Sequence, residues 1–409
     1  MGIIENTLDE SDKRFAAYVA GLVSVLGHAD RARPLRDYCT GLVMPGERKS
    51  VEPMAAVTAP GRVCAQHQSL LHFVGSAPWS DEKLVAKVCE LVMPALGAIE
   101  AWIIDDTAFP KKGKHSVGVA RQYCGQLGKQ DNCQAAVSLS IANHQASLPI
   151  AYRLYLPRQW TTDRARMAKA GVPKAVGFKT KPALALGQIQ AACEAGLPRG
   201  TVLMDCGYGS NTQLRTELTK LGLAYVAGIM PQTKVFTAAK RTAIAVKKLA
   251  LGLPAEAWHT VMWREGTGTR LSSRFARQRV RAANRHALSG SRAEEWLLVE
   301  WPKGEHKPTK YWLSTLPDDL SFARLVDTAK LRWRIERDYQ ELKQEVGLGH
   351  FEGRSWRGFH HHASLCIAAY GFLVSERETI SPSGPYASRR LKVSALPEDY
   401  RSRSTAFAA

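Results

Sequence analysis

The chain has 409 residues, 45% of them hydrophobic, and its 56 lysines and arginines against 37 aspartates and glutamates give a net charge of +19. This length allows two or three domains, and with no apolar run of about 18 residues and no cationic signal peptide, a cytoplasmic protein without a membrane span is expected. The positive charge attracts polyanions, so nucleic acid is the expected partner, although a basic protein that is only soluble remains an alternative.

The first segment, residues 1–97, is predicted to be a helical domain. Runs such as RFAAYVAGLVSVLGHADRA and EKLVAKVCELVMPAL have apolar residues at three and four spacing and are separated by breaks that contain Pro and Gly. The segment RARPLRDYCTGLVMPGERKS is rich in cations. DNA binding and oligomerisation both remain open as roles for this domain.

Residues 98–230 are predicted to form the first part of an α/β core. The run IEAWIIDD is typical of a buried strand that ends in the pair Asp105-Asp106, and three strand-like runs, VGVARQYCG, NCQAAVSLSIA and SLPIAYRLYLP, follow it. A later strand, GTVLMD, ends in Asp205 before the glycine-bearing turn CGYGSN. Ligands of α/β sheets usually bind at the carboxyl ends of strands, so both acidic positions are candidate site residues.

The remaining segments are predicted to be a β-rich insertion at 231–310, a second part of the core at 311–378 and a flexible basic tail at 379–409. The insertion starts with a basic linker, KRTAIAVKKLA, and then carries four tryptophans and an arginine-rich run from Arg274 to Arg285. Those side chains either contact DNA or fill a small core. Three consecutive histidines, 360–362, are expected at the surface or beside the site.

The stretch from 329 to 350, AKLRWRIERDYQELKQEVGLGH, is predicted to continue the helix that starts in SFARLVDTAK. One stripe of this helix is apolar and core-facing, and Arg332, Glu336 and Lys343 follow along its flank. This flank is either a solvated ladder of salt bridges or part of a functional site.

Three carboxylates, Asp105, Asp205 and Glu336, therefore come from three separate elements. Their convergence requires positive charge, which two divalent cations with oxygen ligands supply; Mg²⁺ fits best. In such a site one ion activates the attacking water and the other stabilises the leaving oxygen of a displacement at phosphorus. Arg332 and Lys343 are then candidate ligands of the phosphodiester.

The helix resembles the glutamate-bearing signature of DDE-type insertion-sequence transposases, Tyr-x-x-Arg-x-x-x-Glu-x-x-x-x-x-x-Lys, with Arg332, Glu336 and Lys343 in register. The motifs at Asp105-Asp106-Thr107 and Asp205-Cys206-Gly207-Tyr208-Gly209 resemble the first two catalytic aspartates of that family. The signature tyrosine falls at Ala329, so its role is either lost or taken by Trp333 or Tyr339. Family register favours Asp105 as the first ligand, and Asp106 stays open.

The resemblance covers residues 99–375 and implies a ribonuclease-H-like catalytic core. It implies catalysis by two Mg²⁺ or Mn²⁺ ions held by Asp105, Asp205 and Glu336, with Arg332, Lys343 and Trp333 contacting DNA. The implied partners are double-stranded DNA, both the terminal inverted repeats of the element and the target, and a second copy of the chain in a synaptic homodimer. A bacterial, nucleoid-associated location follows.

Two other functions remain open. One is a metal-dependent nuclease of the same fold that cuts without strand transfer. The other is a catalytically inactive DNA-binding protein derived from a transposase, against which the intact set of three acidic residues argues.

Overall fold

Helices precede the sheet. The computed structural model describes residues 2–238, 240–263, 270–283 and 293–379, so the tail predicted at 379–409 lies, beyond its first residue, outside the described residues. The helices before the first strand are α1 (Gly2–Val23), α2 (Ala32–Val43), α3 (Val51–Thr58), α4 (Val63–Gly75) and α5 (Asp81–Leu96). The start of α5 shows why the chain turns helical there: the Ser80 hydroxyl accepts from the Lys83 N–H, and two acidic residues occupy the first turn.

One mixed sheet contains every strand in the described part of the chain. In sequence order the strands are β1 (Ala101–Pro110), β2 (Ala120–Cys124), β3 (Lys129–Ala142), β4 (Ser147–Leu154), β5 (Thr201–Met204), β6 (Tyr225–Gly228), β7 (Lys234–Thr237), β8 (Lys240–Ala245), β9 (His259–Trp263), β10 (Leu271–Ala282), β11 (Glu295–Pro302) and β12 (Lys310–Ser314). The spatial order is β2-β3-β1-β5-β6-β12-β11-β10-β7-β8, with β4 beside β3 and β9 beside β10.

The strand directions divide the sheet into two parts. Strands β1, β5 and β6 are parallel neighbours, whereas β3 and β4 continue the sheet on one side in antiparallel fashion. On the other side β12 pairs antiparallel with β6, so the strands of the β-rich insertion extend the same sheet. The segment KRTAIAVKKLA, predicted to be a linker, instead forms β8 and a short helix, because β8 pairs with β7.

The remaining helices surround the sheet. They are α6 (Arg158–Thr161), α7 (Arg164–Lys169), α8 (Lys181–Glu194), α9 (Cys206–Gly209), α10 (Thr212–Lys220), α11 (Val246–Leu251), α12 (Phe322–Lys330), α13 (Trp333–Gln344) and α14 (Trp356–Thr379). None of the helices in the described ranges has the combination of length and hydropathy needed to cross a bilayer.

The helix predicted to run unbroken from SFARLVDTAK into RWRIE is interrupted. Helix α12 ends at Lys330 and α13 begins at Trp333, and at the junction the N–H groups of Arg334 and Ile335 donate to carbonyls three residues back. The predicted apolar stripe is nevertheless buried from Leu331 to Val346. The interruption leaves Arg332 as the residue that precedes α13.

Helix α14 is the central element of the largest core. It packs against α2, α4, α5 and β4, and a single apolar cluster joins these elements to β1 and β3. The surface position predicted for His360, His361 and His362 is wrong: each is at most 3% exposed. Burial lowers the pKa of each to about 4, and His361, for example, stacks on Trp79, so the three imidazoles join α14 to its neighbours.

Candidate active site

Two of the predicted carboxylates lie on adjacent strands. The last paired residues of the parallel strands β1 and β5 are Ile104 and Met204, and Asp105 and Asp205 follow them directly. Neighbouring strands are about 4.8 Å apart, so the two backbones are side by side. The prediction that the first strand ends at its acidic pair is wrong, because β3 continues to pair with β1 as far as Pro110. The acidic pair lies in mid-strand, at the level where β5 stops.

Asp205 is fixed at the start of a short helix. Its carboxylate accepts a hydrogen bond from the Tyr208 N–H at 3.1 Å and so caps α9. The glycines around it allow close packing: a Cβ at Gly209 would lie 2.0 Å from the carbonyl oxygen of Gly228, and a Cβ at Gly228 would lie 2.9 Å from the Asp205 backbone. The turn after β5 therefore lies directly on β6, which holds Asp205 beside β1.

Arg332 brings the third carboxylate into the group. Its Nη1 donates to Asp105 Oδ2 at 2.7 Å and its Nη2 donates to Glu336 Oε1 at 3.1 Å. The negative charge of Asp205 also raises the pKa of this guanidinium, although burial opposes the rise. Arg332 therefore joins Asp105 to Glu336 directly, and Asp205 is close enough for its charge to act on the same guanidinium. Glu336 is the most exposed of the three carboxylates, at 69% of its side chain.

The ionised form of the Asp105 carboxylate is destabilised. Burial, followed by repulsion from Asp205, raises its pKa to about 6, even though Arg332 opposes the change. Only 16% of its side chain is exposed. A further cation at this point would stabilise the ionised form of Asp105.

Asp106 has different partners. Its Oδ2 accepts a hydrogen bond from Lys181 Nζ at 2.6 Å, and its Oδ1 accepts one from the Tyr208 hydroxyl at 3.0 Å. Successive side chains along a strand point to opposite faces, which explains why neighbouring aspartates bind separate cations. Asp106 thereby ties β1 to α8 and α9.

Lys343 and Trp333 lie on the same helix as Glu336. Lys343 Nζ donates to the Ala108 carbonyl at 3.1 Å and lies 5.2 Å from the ring centre of Phe109, and burial lowers its pKa. Its ammonium group is thus held beside β1, three residues beyond Asp105. Trp333 is half-buried, and the guanidinium of the next residue lies 4.6 Å from its ring centre.

Known protein families match the parts of the sequence that contain these residues. Residues 21–245 match the family described as DDE superfamily endonuclease. This chain belongs to that superfamily. Residues 181–372 match the transposase DDE domain. The first match includes Asp105 and Asp205, and the second includes Asp205 and Glu336.

A relative from Microchaete diplosiphon extends the comparison beyond the family matches. This protein, the probable transposase for insertion sequence element IS701, is 26% identical over 315 residues, which cover 76% of this chain and 74% of the relative. The prediction of a DDE-type enzyme is confirmed at the level of the superfamily. The tyrosine-arginine-glutamate-lysine signature stays a prediction.

The donor set of this DDE site is suited to a hard divalent cation. Asp105, Asp205 and Glu336 offer only carboxylate oxygens, which Mg²⁺ and Mn²⁺ prefer. Among the residues that the structure describes, no three acidic, histidine or cysteine side chains are close enough together to hold a metal ion. Arg332 is paired with Asp105 and Glu336 and supplies one positive charge beside them.

The tryptophans of the β-rich part stack within the protein. Trp296 lies under Arg277, with 4.4 Å from guanidinium carbon to ring centre, and Trp301 lies under Arg274 at the same distance. Trp258 meets Trp301 edge to face. Of the two roles predicted for these side chains, the arrangement favours filling the local core. The end of the arginine-rich run, from residue 284, lies outside the described residues.

Two residues beside the site were missed as site residues in the sequence. Lys181 starts α8, 76 residues after Asp105 in the chain, and no motif marks it. The Tyr339 hydroxyl shares a 2.7 Å hydrogen bond with Ser138 of β3, which fixes α13 against the sheet. The sequence suggests Tyr339 only as a substitute for the missing signature tyrosine. In the structure Tyr339 is buried and acts as a packing residue.

Proposed function

We propose that the protein is a DNA transposase that cleaves phosphodiester bonds at the ends of an insertion element and joins the freed ends to target DNA. The observation that supports this most strongly is that Arg332 bonds both Asp105 and Glu336, while Asp205 directly follows the strand that pairs with β1. Asp105 and Glu336 are 231 residues apart in a chain of the DDE superfamily.

The strand order supports a ribonuclease-H-like core. Three antiparallel strands run β4-β3-β1, and β5 and β6 then continue in parallel with β1. In this proposal the first two catalytic carboxylates come from neighbouring parallel strands, since Asp105 lies on β1 and Asp205 directly follows β5. The β-rich insertion and α12 then return the chain to the site, where α13 delivers Glu336.

Asp105, Asp205 and Glu336 would hold two Mg²⁺ or Mn²⁺ ions. When bound, such ions activate a water or a 3′ hydroxyl and stabilise the leaving oxygen at phosphorus. Asp105 is the first ligand in this proposal because Asp106 is engaged with Lys181 and Tyr208. Burial and repulsion from Asp205 raise the pKa of Asp105, so bound cations would stabilise its ionised form.

The cations of α13 orient the DNA in this proposal. Arg332 compensates the charge of Asp105 and Glu336 and has the bidentate geometry that suits a phosphate. Lys343, held at the Ala108 carbonyl, offers a second positive charge along β1. Trp333, at the start of α13, provides a half-buried ring for stacking on a base. The net charge of +19 favours long-range attraction of DNA.

The partners in this proposal are the two inverted repeats that end the element and a duplex target. Joining two ends at one target requires them to be held together, so the active form would be a homodimer. The relative from Microchaete diplosiphon, a probable transposase for an insertion sequence element, supports this class of substrate.

A joining assay tests the proposal. The purified chain is mixed with Mg²⁺, a labelled duplex that carries the end of the element, and a supercoiled plasmid. We expect nicking at the end and labelled plasmid products. Cutting without labelled plasmid would favour a nuclease, and binding without cutting would favour an inactive DNA-binding derivative; either result would contradict strand transfer.

A further inference from the structure

A cleft about 740 Å³ in volume lies between the N-terminal helices and the segment that follows α13. Its walls come from the end of α2 and the following loop, from α4, from α7, and from residues 350–355. Two backbone hydrogen bonds hold residues 354–356 against the rest of the fold. Trp356 N donates to Ala170 O at 2.8 Å, and Val117 N donates to Arg354 O at 3.1 Å. The cleft is therefore a preformed feature of the fold.

The two sides of the cleft meet at Lys49 and Gly347. The Lys49 N–H donates to His350 Nδ1 at 2.9 Å, and its ammonium donates to the carbonyls of Leu42 and Met44. Gly347 has a φ of +81°, and a Cβ there would lie 2.4 Å from the Cβ of Lys49. This close packing joins the N-terminal helices to the end of α13.

Positive charge dominates the lining of the cleft. Four lysine and arginine side chains face two glutamates, and one of these, Glu352, is paired with Arg48. Four histidines also line the cleft, and burial lowers the pKa of His350 and of His362. Lys169 and Arg354 are exposed, and within the described ranges neither has a carboxylate partner. Arg166 is held in place by stacking on Trp160 at 3.7 Å and by donating to the Lys114 carbonyl at 2.8 Å.

A path of cations links this cleft to the catalytic carboxylates. Lys343 is held at Ala108, and Lys111, just past the end of β1, donates from Nζ to the carbonyl of Phe351 at 2.9 Å. Phe351 lines the cleft. From Asp105 to Lys111 the chain rises about 20 Å at the strand spacing of 3.3 Å per residue, which is about six nucleotides at 3.4 Å each.

We propose that this cleft is a second DNA-binding site, which takes the sugar-phosphate backbone about six or more nucleotides from the bond that the DDE site cleaves. Lys169, Arg354 and Arg166 contact the phosphates. The inference rests on the proposed function for the identity of the polyanion. Because the cleft lies between the N-terminal helices and the segment after α13, one stretch of DNA bound to these cations lies against both parts of the protein.

The test combines charge removal with a change in DNA length. The variant is Lys169→Gln with Arg354→Gln, and the matched control is Lys83→Gln with Lys220→Gln, which removes two exposed cations outside the cleft. Binding to a labelled duplex from the end of the element is measured by fluorescence anisotropy in EDTA, between about 50 and 200 mM KCl. A second duplex is truncated about four base pairs from the cleavage point. Thermal melts confirm that all variants are folded.

On the long duplex the cleft variant should lose about tenfold or more in affinity at low salt, and its slope of log K against log [KCl] should fall by about 1.8. On the truncated duplex it should bind as the wild type does, and the control should keep the wild-type slope on both. An unchanged slope on the long duplex, or an equal loss on the truncated one, would overturn the inference. A wild type that shows the length-dependent slope but never cleaves would contradict the proposed function and leave the cleft assignment standing.

Discussion

The replacement of Asp105 by asparagine offers a quantitative test of the site. The pKa of Asp105 is raised from 3.8 to about 6, which at 1.36 kcal/mol per pH unit amounts to about 3 kcal/mol against the ionised form. Since the folded-state pKa lies above the unfolded value, the folded protein binds more protons in this window. This contribution to stability is therefore complete below about pH 3.8 and is lost as the pH rises through about 6.

Between pH 5 and pH 8 the wild type should lose about 1.4 kcal/mol of stability through Asp105 alone. Asp105→Asn removes the titrating group. Between pH 5 and pH 8 the free energy of unfolding of this variant should therefore fall by about 1.4 kcal/mol less than that of the wild type. The measurement is guanidinium denaturation of both proteins in EDTA at the two pH values. Mg²⁺ should reduce the fall in the wild type, because a bound cation stabilises ionised Asp105, and should not affect the variant.

The matched control is Asp106→Asn. This change removes the acceptor for Lys181 and Tyr208 and should destabilise the protein at both pH values, because it leaves a half-buried ammonium without its carboxylate. Its response to Mg²⁺ should be that of the wild type. If Asp105→Asn follows the wild-type pH dependence, or if Asp106→Asn instead loses the Mg²⁺ response, the assignment of Asp105 as the first ligand is refuted.

Four further variants extend the test. Asp205→Ala should abolish cleavage of an end duplex while anisotropy still detects binding, and normal cutting would show that the site is wrongly assigned. Arg332→Ala should slow cleavage and make it more salt-sensitive without loss of folding, because Asp105 and Glu336 lose their shared cation. Cleavage rates at several KCl concentrations, together with thermal melts, check this. Wild-type rates at every salt concentration would count against it. Gly347→Ala should cost about 1–3 kcal/mol, since the residue has positive φ and touches Lys49. Gly187→Ala, in the open interior of α8, should stabilise by up to about 1 kcal/mol, so denaturation curves that shift in the same direction would contradict the steric argument.

Local patterns predicted the elements that carry the site. The apolar run before Asp105 and the run before Asp205 each form a buried strand, because short runs rich in branched and aromatic residues pack well on the pleated surface of a sheet. The apolar spacing around Glu336 likewise predicted the buried stripe of α13. These features depend on residues close together in the chain.

Features that depend on distant partners could not be predicted in this way. The interruption at Arg332 has no proline or glycine to mark it, and β1 continues past its acidic pair only because β3 is long enough to pair with it. The burial of His361 depends on Trp79 and on carbonyls of the N-terminal helices. Lys181 likewise has no sequence signal, since its role appears only when α8 packs near Asp106.

The shared metal site is the central claim, and Mn²⁺ binding tests it most directly. Electron paramagnetic resonance titrations with the wild type and an end duplex should show two Mn²⁺ ions per protomer. Asp205→Asn, which keeps the shape of the side chain, should lose at least one of them, whereas Asp106→Asn should retain both. Equal Mn²⁺ binding by the wild type and Asp205→Asn would contradict the account.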